Sequence, residues 1–299
     1  MLTRDAPAKI NLALHVTGRR PDGYHLLESL VVFTELGDRV SAGAAEDDSF
    51  ALEGPEAGTL AAEDSQGNLV VRARDALRKA AQRSGHAAPP VAITLDKRLP
   101  VASGIGGGSA DAAATLTLLS DLWGYHPSAQ ELAEIGLSLG ADVPMCLAGT
   151  PLVARGIGEA LEPVEFGFAL DMVLVNPRIG VSTPTVFKAL ARRDNAPLPP
   201  VEGLEDRARF LGWLETVRND LEAPARQIAP AIGDCLSALS DTGALLARMS
   251  GSGASCFGIH ADADAAAEAA RRLRQAYPGW FVAATRTRSA PGRQVRQAS

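Results

Sequence analysis

Apolar and polar residues alternate at the start of the chain. Ile10, Leu12, Leu14 and Val16 fall at every second position, with Lys9, Asn11 and His15 on the other side. A period of two predicts a half-buried strand with those three polar residues on its outer face. Arg20-Pro-Asp-Gly23 predicts a turn, and Leu26 to Val40 more strand, broken near Gly37-Asp38. Ser49 to Gly67 is small, acidic and glycine-rich, which predicts turns and a short strand. The period then lengthens. Asn68 to Ser84 predicts a helix, with Asn68 as its N-cap, Leu69, Ala73, Ala76, Leu77 and Ala80 as its apolar stripe and Gly85 as its stop. Val91 to Leu95 predicts a strand. Ser109 to Trp123 predicts a second helix with Ala112, Leu116, Leu119 and Trp123 on one face. A third opens at Ser128, where Ser128 and Glu131 have the spacing of a capping box.

Pro163 to Gly167 is a candidate domain boundary. Beyond it the pattern predicts a strand at Asp171–Asn176, a proline-rich loop at Asn195–Pro200 and helices around Phe210–Val217 and Pro224–Ser240. Strands follow at Ala244–Met249 and Ala254–His260, then a helix at Asp262–Tyr277 and a strand from Trp280. Arg286 to Ser299 has four arginines and no apolar pattern, and reads as a disordered, solvated tail.

At 299 residues the chain is long enough for about two domains. Its formal charge of −6 argues against nucleic acid or an anionic membrane surface as partner, so any anionic ligand must be held by a local site. Cys146, Cys235 and Cys256 lack metal-ligand spacing and read as small buried hydrophobes in a reducing cytosol. The first residues have no signal-like apolar core and no run is long enough to span a bilayer, so the expected location is cytoplasmic.

The most informative stretch is Pro100-Val-Ala-Ser-Gly-Ile-Gly-Gly-Gly-Ser-Ala-Asp111. Four of the five residues from Gly104 to Gly108 are glycine, directly before a helix. Bare backbone there bends freely and lets a ligand approach closely. Successive amides and the helix dipole then make an anion site, for which phosphate is the natural guest. No Gly-Lys pair exists anywhere in the chain, which excludes a Walker loop, and the glycine spacing does not match a dinucleotide fingerprint. The protein-kinase motif set is absent as well.

Three segments, in order, resemble the GHMP superfamily of small-molecule kinases: Pro7-Ala-Lys-Ile-Asn-Leu12, the Pro100–Asp111 loop, and Met249-Ser-Gly-Ser-Gly-Ala-Ser255. Finer features are similar to one family within it, the 4-diphosphocytidyl-2-C-methyl-D-erythritol kinases. These are the triple glycine, Arg20-Pro-Asp-Gly-Tyr-His-Leu26, Gly140-Ala-Asp-Val-Pro144 and Val181-Ser-Thr-Pro-Thr-Val-Phe187. One departure is Ala110, where the family usually has a second serine after the glycines.

The resemblance implies an α+β fold of two domains: a ribosomal protein S5 domain 2-like unit over 1–163 and a ferredoxin-like unit over 164–285. It implies phosphorylation of an alcohol by ATP with Mg²⁺, on a small molecule carrying a cytidine diphosphate group. The protein would be a monomer or weak homodimer. Asp142 would accept the hydroxyl proton, with Lys9 beside it lowering the carboxylate's pKa or stabilising the hydroxyl oxygen. An isolated aspartate after a helix end is otherwise a capping residue. ATP would be held by Pro100, Val101, Ala102, Ser103, Gly104, Ile105, Gly106, Gly107, Gly108 and Ser109. Lys97 is a further candidate phosphate contact, and Asn68 and Leu69 would border the adenine. Tyr24 and Phe187 would sandwich the cytosine while His25 reads its edge. Asn11, Thr183, Ser250 and Gly251 complete the substrate side. Two other readings stay open: a kinase of the homoserine or mevalonate type, or a non-catalytic nucleotide-binding regulator on the same fold.

Overall fold

The first strand is longer and more deeply buried than its alternation implies. In the computed structural model, which describes residues 1–60, 67–101, 103–204 and 206–288, β1 spans Leu2–Arg19 and is buried without interruption from Ala6 to Val16. The expected outer face is therefore corrected: Lys9, Asn11 and His15 are all enclosed. Other segments cover that face. Lys9 N donates to Ile105 O, Asn11 N to Ser250 Oγ, and Arg218 N to His15 Nε2.

β1 pairs antiparallel with β2 (His25–Ala44) across the Arg20–Gly23 turn. The expected break at Gly37-Asp38 is absent; β2 runs through, with a register shift opposite it between Pro7 and Lys9. Gly37 packs its backbone onto Ala6 and Pro7 so closely that no side chain fits. β3 (Ser49–Glu53) lies parallel to β4 (Val91–Asp96), a pairing that requires a crossover. α1 (Ala57–Leu60) and α2 (Leu69–Arg83) supply it, and Asn68 caps α2 by accepting from Val70 N at 2.9 Å. Then follow α3 (Gly107–Trp123), α4 (Ala129–Leu139), α5 (Val143–Ala148), β5 (Leu152–Arg155) and β6 (Ala160–Pro163). The first sheet has the order β3-β4-β2-β5-β6, with β1 on β2. The capping box at Ser128 forms only by half. Ser128 Oγ accepts from Glu131 N, while the Glu131 carboxylate turns to the Tyr125 hydroxyl.

A second sheet begins after Pro163. It contains β7 (Asp171–Asn176), β8 (Leu246–Met249), β9 (Cys256–Ile259) and β10 (Phe281–Arg286), antiparallel in the order β10-β7-β9-β8. The strand alternation splits between two cores. Val173, Val175 and Cys256 face α9 (Ala231–Asp241) and α10 (Ala263–Ala276). Met172, Leu174, Phe257 and Ile259 pack with Ile10, Leu12 and Val32 from the first sheet and with Phe210 and Leu214 of α7 (Arg207–Thr216). The helix expected over Pro224–Ser240 is two helices, α8 (Glu222–Ile228) and α9, with Pro230 between them. A short helix, α6 (Thr183–Lys188), precedes α7. The result is a two-domain α+β molecule. All three cysteines are buried and unpaired, and among the described residues no helix is long and apolar enough to cross a membrane.

Arg248 of β8 joins the two units. Its buried guanidinium donates to Leu12 O at 2.7 Å, Leu214 O at 2.9 Å and Val217 O at 2.8 Å. Arg248→Ala removes a donor from three carbonyls, of which Leu214 O keeps only the long bond from Val217 N, and we expect a loss of about 3 kcal/mol in denaturant unfolding. A loss below about 1 kcal/mol would show that water replaces the guanidinium at little cost.

Candidate active site

The Pro100–Asp111 segment leaves β4 and turns directly into α3. The helix starts at Gly107, two residues before the start expected at Ser109. Gly106 is its N-cap, at a φ of 66°, and carries no side chain to cap the helix. The amides of Gly107, Gly108 and Ser109 therefore have no acceptor within the helix; the first i−4 bond is Ala110 N to Gly106 O. Close approach explains two of the glycines. A Cβ on Gly106 would stand 3.1 Å from Lys9 Cβ, and one on Gly107 would stand 3.1 Å from Lys97 Nζ. The amide-lined bend thus runs over two lysines. Gly104, at a φ of 74°, interlocks with the second glycine loop, where a Cβ on it would come within 2.6 Å of Gly253 O. Ser255 N donates to Ser103 O, and Ser250 Oγ donates to Gly104 O.

Asp142 is the N-cap residue of α5 but makes no capping hydrogen bond. Its carboxylate turns instead to Lys9, with 2.9 Å between Oδ2 and Nζ. The lysine side chain is 5% exposed and the aspartate 39%, so one partner is embedded and the other opens to the cleft. Lys9 Nζ also donates to Asn11 Oδ1 at 3.1 Å.

Most of the residues singled out in the sequence line one cleft of about 500 Å³. Lys9, Asn11 and Asp142 meet the glycine loop there, together with Asn68 and Leu69 at the start of α2, Thr183 and Phe187 on α6, and Gly251. Ile105 lies fully buried behind the loop, and Ala102 falls outside the described residues. Ser250 is buried too; its hydroxyl stitches Asn11 to Gly104 instead of facing the cleft.

The aromatic sandwich differs from expectation. Tyr24 is 62% exposed on the β1–β2 hairpin, and Phe187 stacks instead on His25, with 4.7 Å between ring centroids. Tyr24 lies in the turn just before β2, whereas His25 is the first residue of the strand. Burial, reinforced by Arg19 and Arg193, lowers the His25 pKa below the ordinary histidine value, which favours the neutral ring.

With that geometry in view, comparison with known proteins is decisive. The chain matches the model of the GHMP kinases N-terminal domain over residues 68–150 and that of the GHMP kinases C-terminal domain over 201–279. It is 55% identical to a 4-diphosphocytidyl-2-C-methyl-D-erythritol kinase of Chelativorans sp. (strain BNC1), over 95% of both chains. It is 54% identical to the enzyme of that name from Sinorhizobium medicae (strain WSM419), over 97% of both. This chain belongs to the 4-diphosphocytidyl-2-C-methyl-D-erythritol kinase family of the GHMP kinases. A crystal structure of a 4-(cytidine 5'-diphospho)-2C-methyl-D-erythritol kinase superposes with a TM-score of 0.79 at 33% identity, covering 96% of this chain and all of that one. Leishmania major mevalonate kinase shares the fold with a TM-score of 0.70 at 16% identity, over 97% of both chains.

Sequence reasoning missed the groups beneath this kinase's loop. Lys97, expected to reach phosphate, has its ammonium bound by Asp38 and, at 2.9 Å, by Asp111 Oδ2. Asp38 Oδ1 also accepts from Arg98 N and Leu99 N, which fixes the entry to the loop. Burial works against the charge on Lys97, but Asp111 and Asp38 outweigh it and raise its pKa. For Asp111 burial is the largest influence; with Asp38 adding to it, it pushes the carboxyl up to about 8 against the pull of Lys97. The advance signals were Lys97 itself, expected to contact phosphate, and Gly37-Asp38, read as a strand break.

The folded protein thus holds a proton on Asp111 that the unfolded chain releases near its ordinary value of 3.8. Stability from this group falls as pH rises through that window and is level above about 8. Asp111→Asn mimics the protonated carboxyl. The melting temperature of the variant relative to the parent should rise from pH 5 to pH 8 and then stay constant. A difference that does not change with pH would contradict the shift.

Proposed function

We propose that this kinase transfers the γ-phosphoryl group of ATP to the 2-hydroxyl of 4-diphosphocytidyl-2-C-methyl-D-erythritol, in non-mevalonate isoprenoid precursor synthesis. The observation that carries the reading is the Asp142 carboxylate, free of capping duty and 2.9 Å from an embedded ammonium, on the same cleft as the glycine loop. The relatives named for that substrate support the choice within the superfamily.

In this reading the amides of Gly107, Gly108 and Ser109 receive phosphate oxygens at the positive end of α3. They are preorganised, so charge developing on the transferring group meets donors that need no rearrangement. The acceptor alcohol lies beside Asp142. Its oxygen forms the new bond to phosphorus, its proton passes to Asp142, and the bond to ADP breaks in line with the attack. The Lys9 ammonium steadies the negative charge on the attacking oxygen. Asn68 and Leu69 border the nucleotide, and the His25–Phe187 stack receives the cytosine, with Asn11, Thr183 and Gly251 along the substrate. Tyr24 stays at the rim. Residues 1–163 form the nucleotide-binding domain and 164–285 its partner.

Magnesium ordinarily accompanies ATP and would supply charge neutralisation on the phosphates. Among the described residues no three acidic, histidine or cysteine side chains gather into a metal cage. Without such a cage, magnesium would arrive carried by the triphosphate.

A coupled ADP-release assay should show turnover with the cytidyl substrate and none with homoserine or mevalonate; turnover restricted to either of those alcohols would overturn the assignment. Asp142→Asn should lower kcat by about 10²–10⁴-fold at nearly unchanged substrate affinity, whereas a parental rate would remove Asp142 as base. Phe187→Ala should raise KM for the cytidyl substrate by about tenfold and leave KM for ATP alone. An unchanged substrate KM would refute the stacking role.

A further inference from the structure

Ser29 lies on β2, is almost fully buried, and lines the cleft beside Asn11. Its hydroxyl has two polar neighbours. The Ala13 carbonyl is 2.7 Å away and can only accept; the Asn11 side-chain amide nitrogen is also 2.7 Å away. A serine hydroxyl carries one proton. That proton goes to Ala13 O, so the Ser29 oxygen must accept from its other neighbour. Only the NH₂ half of an amide donates, so the Asn11 amide is fixed in one of its two orientations. Its Oδ1 then faces Lys9 Nζ at 3.1 Å. The register shift between Asn11 and Ala13, where β1 bulges against β2, accompanies this contact across the strands.

The consequence reaches the reacting atoms. A lysine ammonium has three donors and no acceptor. One is taken by Asn11 Oδ1 and one by Asp142 Oδ2, which leaves the third for a ligand in the cleft. If the amide turned over, its NH₂ would face the ammonium, two donors would meet, and Lys9 would have to move. We propose that Ser29 is a positioning residue of this kinase: through the Asn11 amide, it sets the direction in which the Lys9 ammonium presents its free donor. The chain of bonds runs from the Ala13 carbonyl through Ser29 and Asn11 to Lys9 and Asp142, and every donor in it is assigned by its first member. This rests on the proposed roles of Lys9 and Asp142.

The test compares the parent, Ser29→Ala, Asn11→Ala and the double variant. Ser29→Ala should lower kcat about tenfold, the scale of a misdirected catalytic group. KM for ATP should stay near its parental value, while the melting temperature falls by the loss of two buried hydrogen bonds. In the Asn11→Ala background the same change should have no further effect on kcat. Losses that multiply, or a lowered melting temperature with kcat unchanged, would overturn the proposal in favour of packing alone. A readout without turnover separates this from failure of the function itself. The Asn11 side-chain amide ¹⁵N–¹H₂ signals, assigned by their disappearance in Asn11→Ala, should exchange slowly with solvent in the parent and rapidly in Ser29→Ala. Slow exchange in both would refute the orientation even if the substrate assignment holds. An inactive parent whose exchange rates change as expected would instead fault the function and leave the orientation standing. Should Ser29→Ala fail to fold, Ser29→Cys, with its weaker donor and acceptor, should give intermediate values of both readouts.

Discussion

A lysine ammonium held out of water organises this site. Removing an ion from water is costly unless partners satisfy it in the interior. Lys9 has Asn11 Oδ1 and Asp142 Oδ2, and its backbone nitrogen is bonded to Ile105 O in the phosphate-loop segment. The side chain is therefore registered to the loop at its root and to the carboxylate at its tip. Loop and candidate base cannot drift apart without breaking one of these bonds. The burial of β1 on both faces makes this possible, because a strand facing solvent would leave the ammonium free to sample many positions.

The loop is held from below and from the side. Beneath it, Asp38, Lys97 and Asp111 tie the end of β4 and the first turn of α3 to β2. Beside it, the second glycine loop approaches so closely that backbone meets backbone at Gly104, Gly251 and Gly253. Glycine serves two physical ends here. Left-handed backbone at Gly104 and Gly106 aims the amides, and missing side chains at Gly106 and Gly107 let two lysines pass beneath. The sequence reading anticipated the amide nest and named both lysines as site candidates, but did not place them beneath the loop.

Periodic features were legible, and long-range ones were not. α2, α4 and α10 carry apolar stripes and stop signals; their limits, and those of α3, which is buried on nearly every side and not on one face alone, fall within two residues of expectation. The α5 and α6 helices are only six residues each, too short for a stripe to emerge, and both have proline in the first turn. Lys9 was read as an outer-face residue from its neighbours alone. Its burial comes from Ile105 and Gly106, residues far along the chain that no local window contains. The same holds for Asp38 and Asp111, whose value lies in each other and in Lys97. Motif resemblance drew attention to Lys9, Asn11, Asp142 and the glycine loop that Asp111 closes, but the Ser29 hydroxyl, Asp38 and the bonds that join Asp38, Lys97 and Asp111 carry no motif. They become visible only when donors and acceptors are counted in space.

The central claim is that the buried ammonium of Lys9 acts on the attacking oxygen in the transfer step and not on ligand binding. The most direct test is a single-turnover measurement on Lys9→Met, with ATP and the cytidyl substrate both prebound, alongside titration of each ligand. The account predicts affinities near parental values and a transfer step slowed by about 10²–10⁴-fold. Transfer at the parental rate, or a loss confined to ATP affinity, would contradict it.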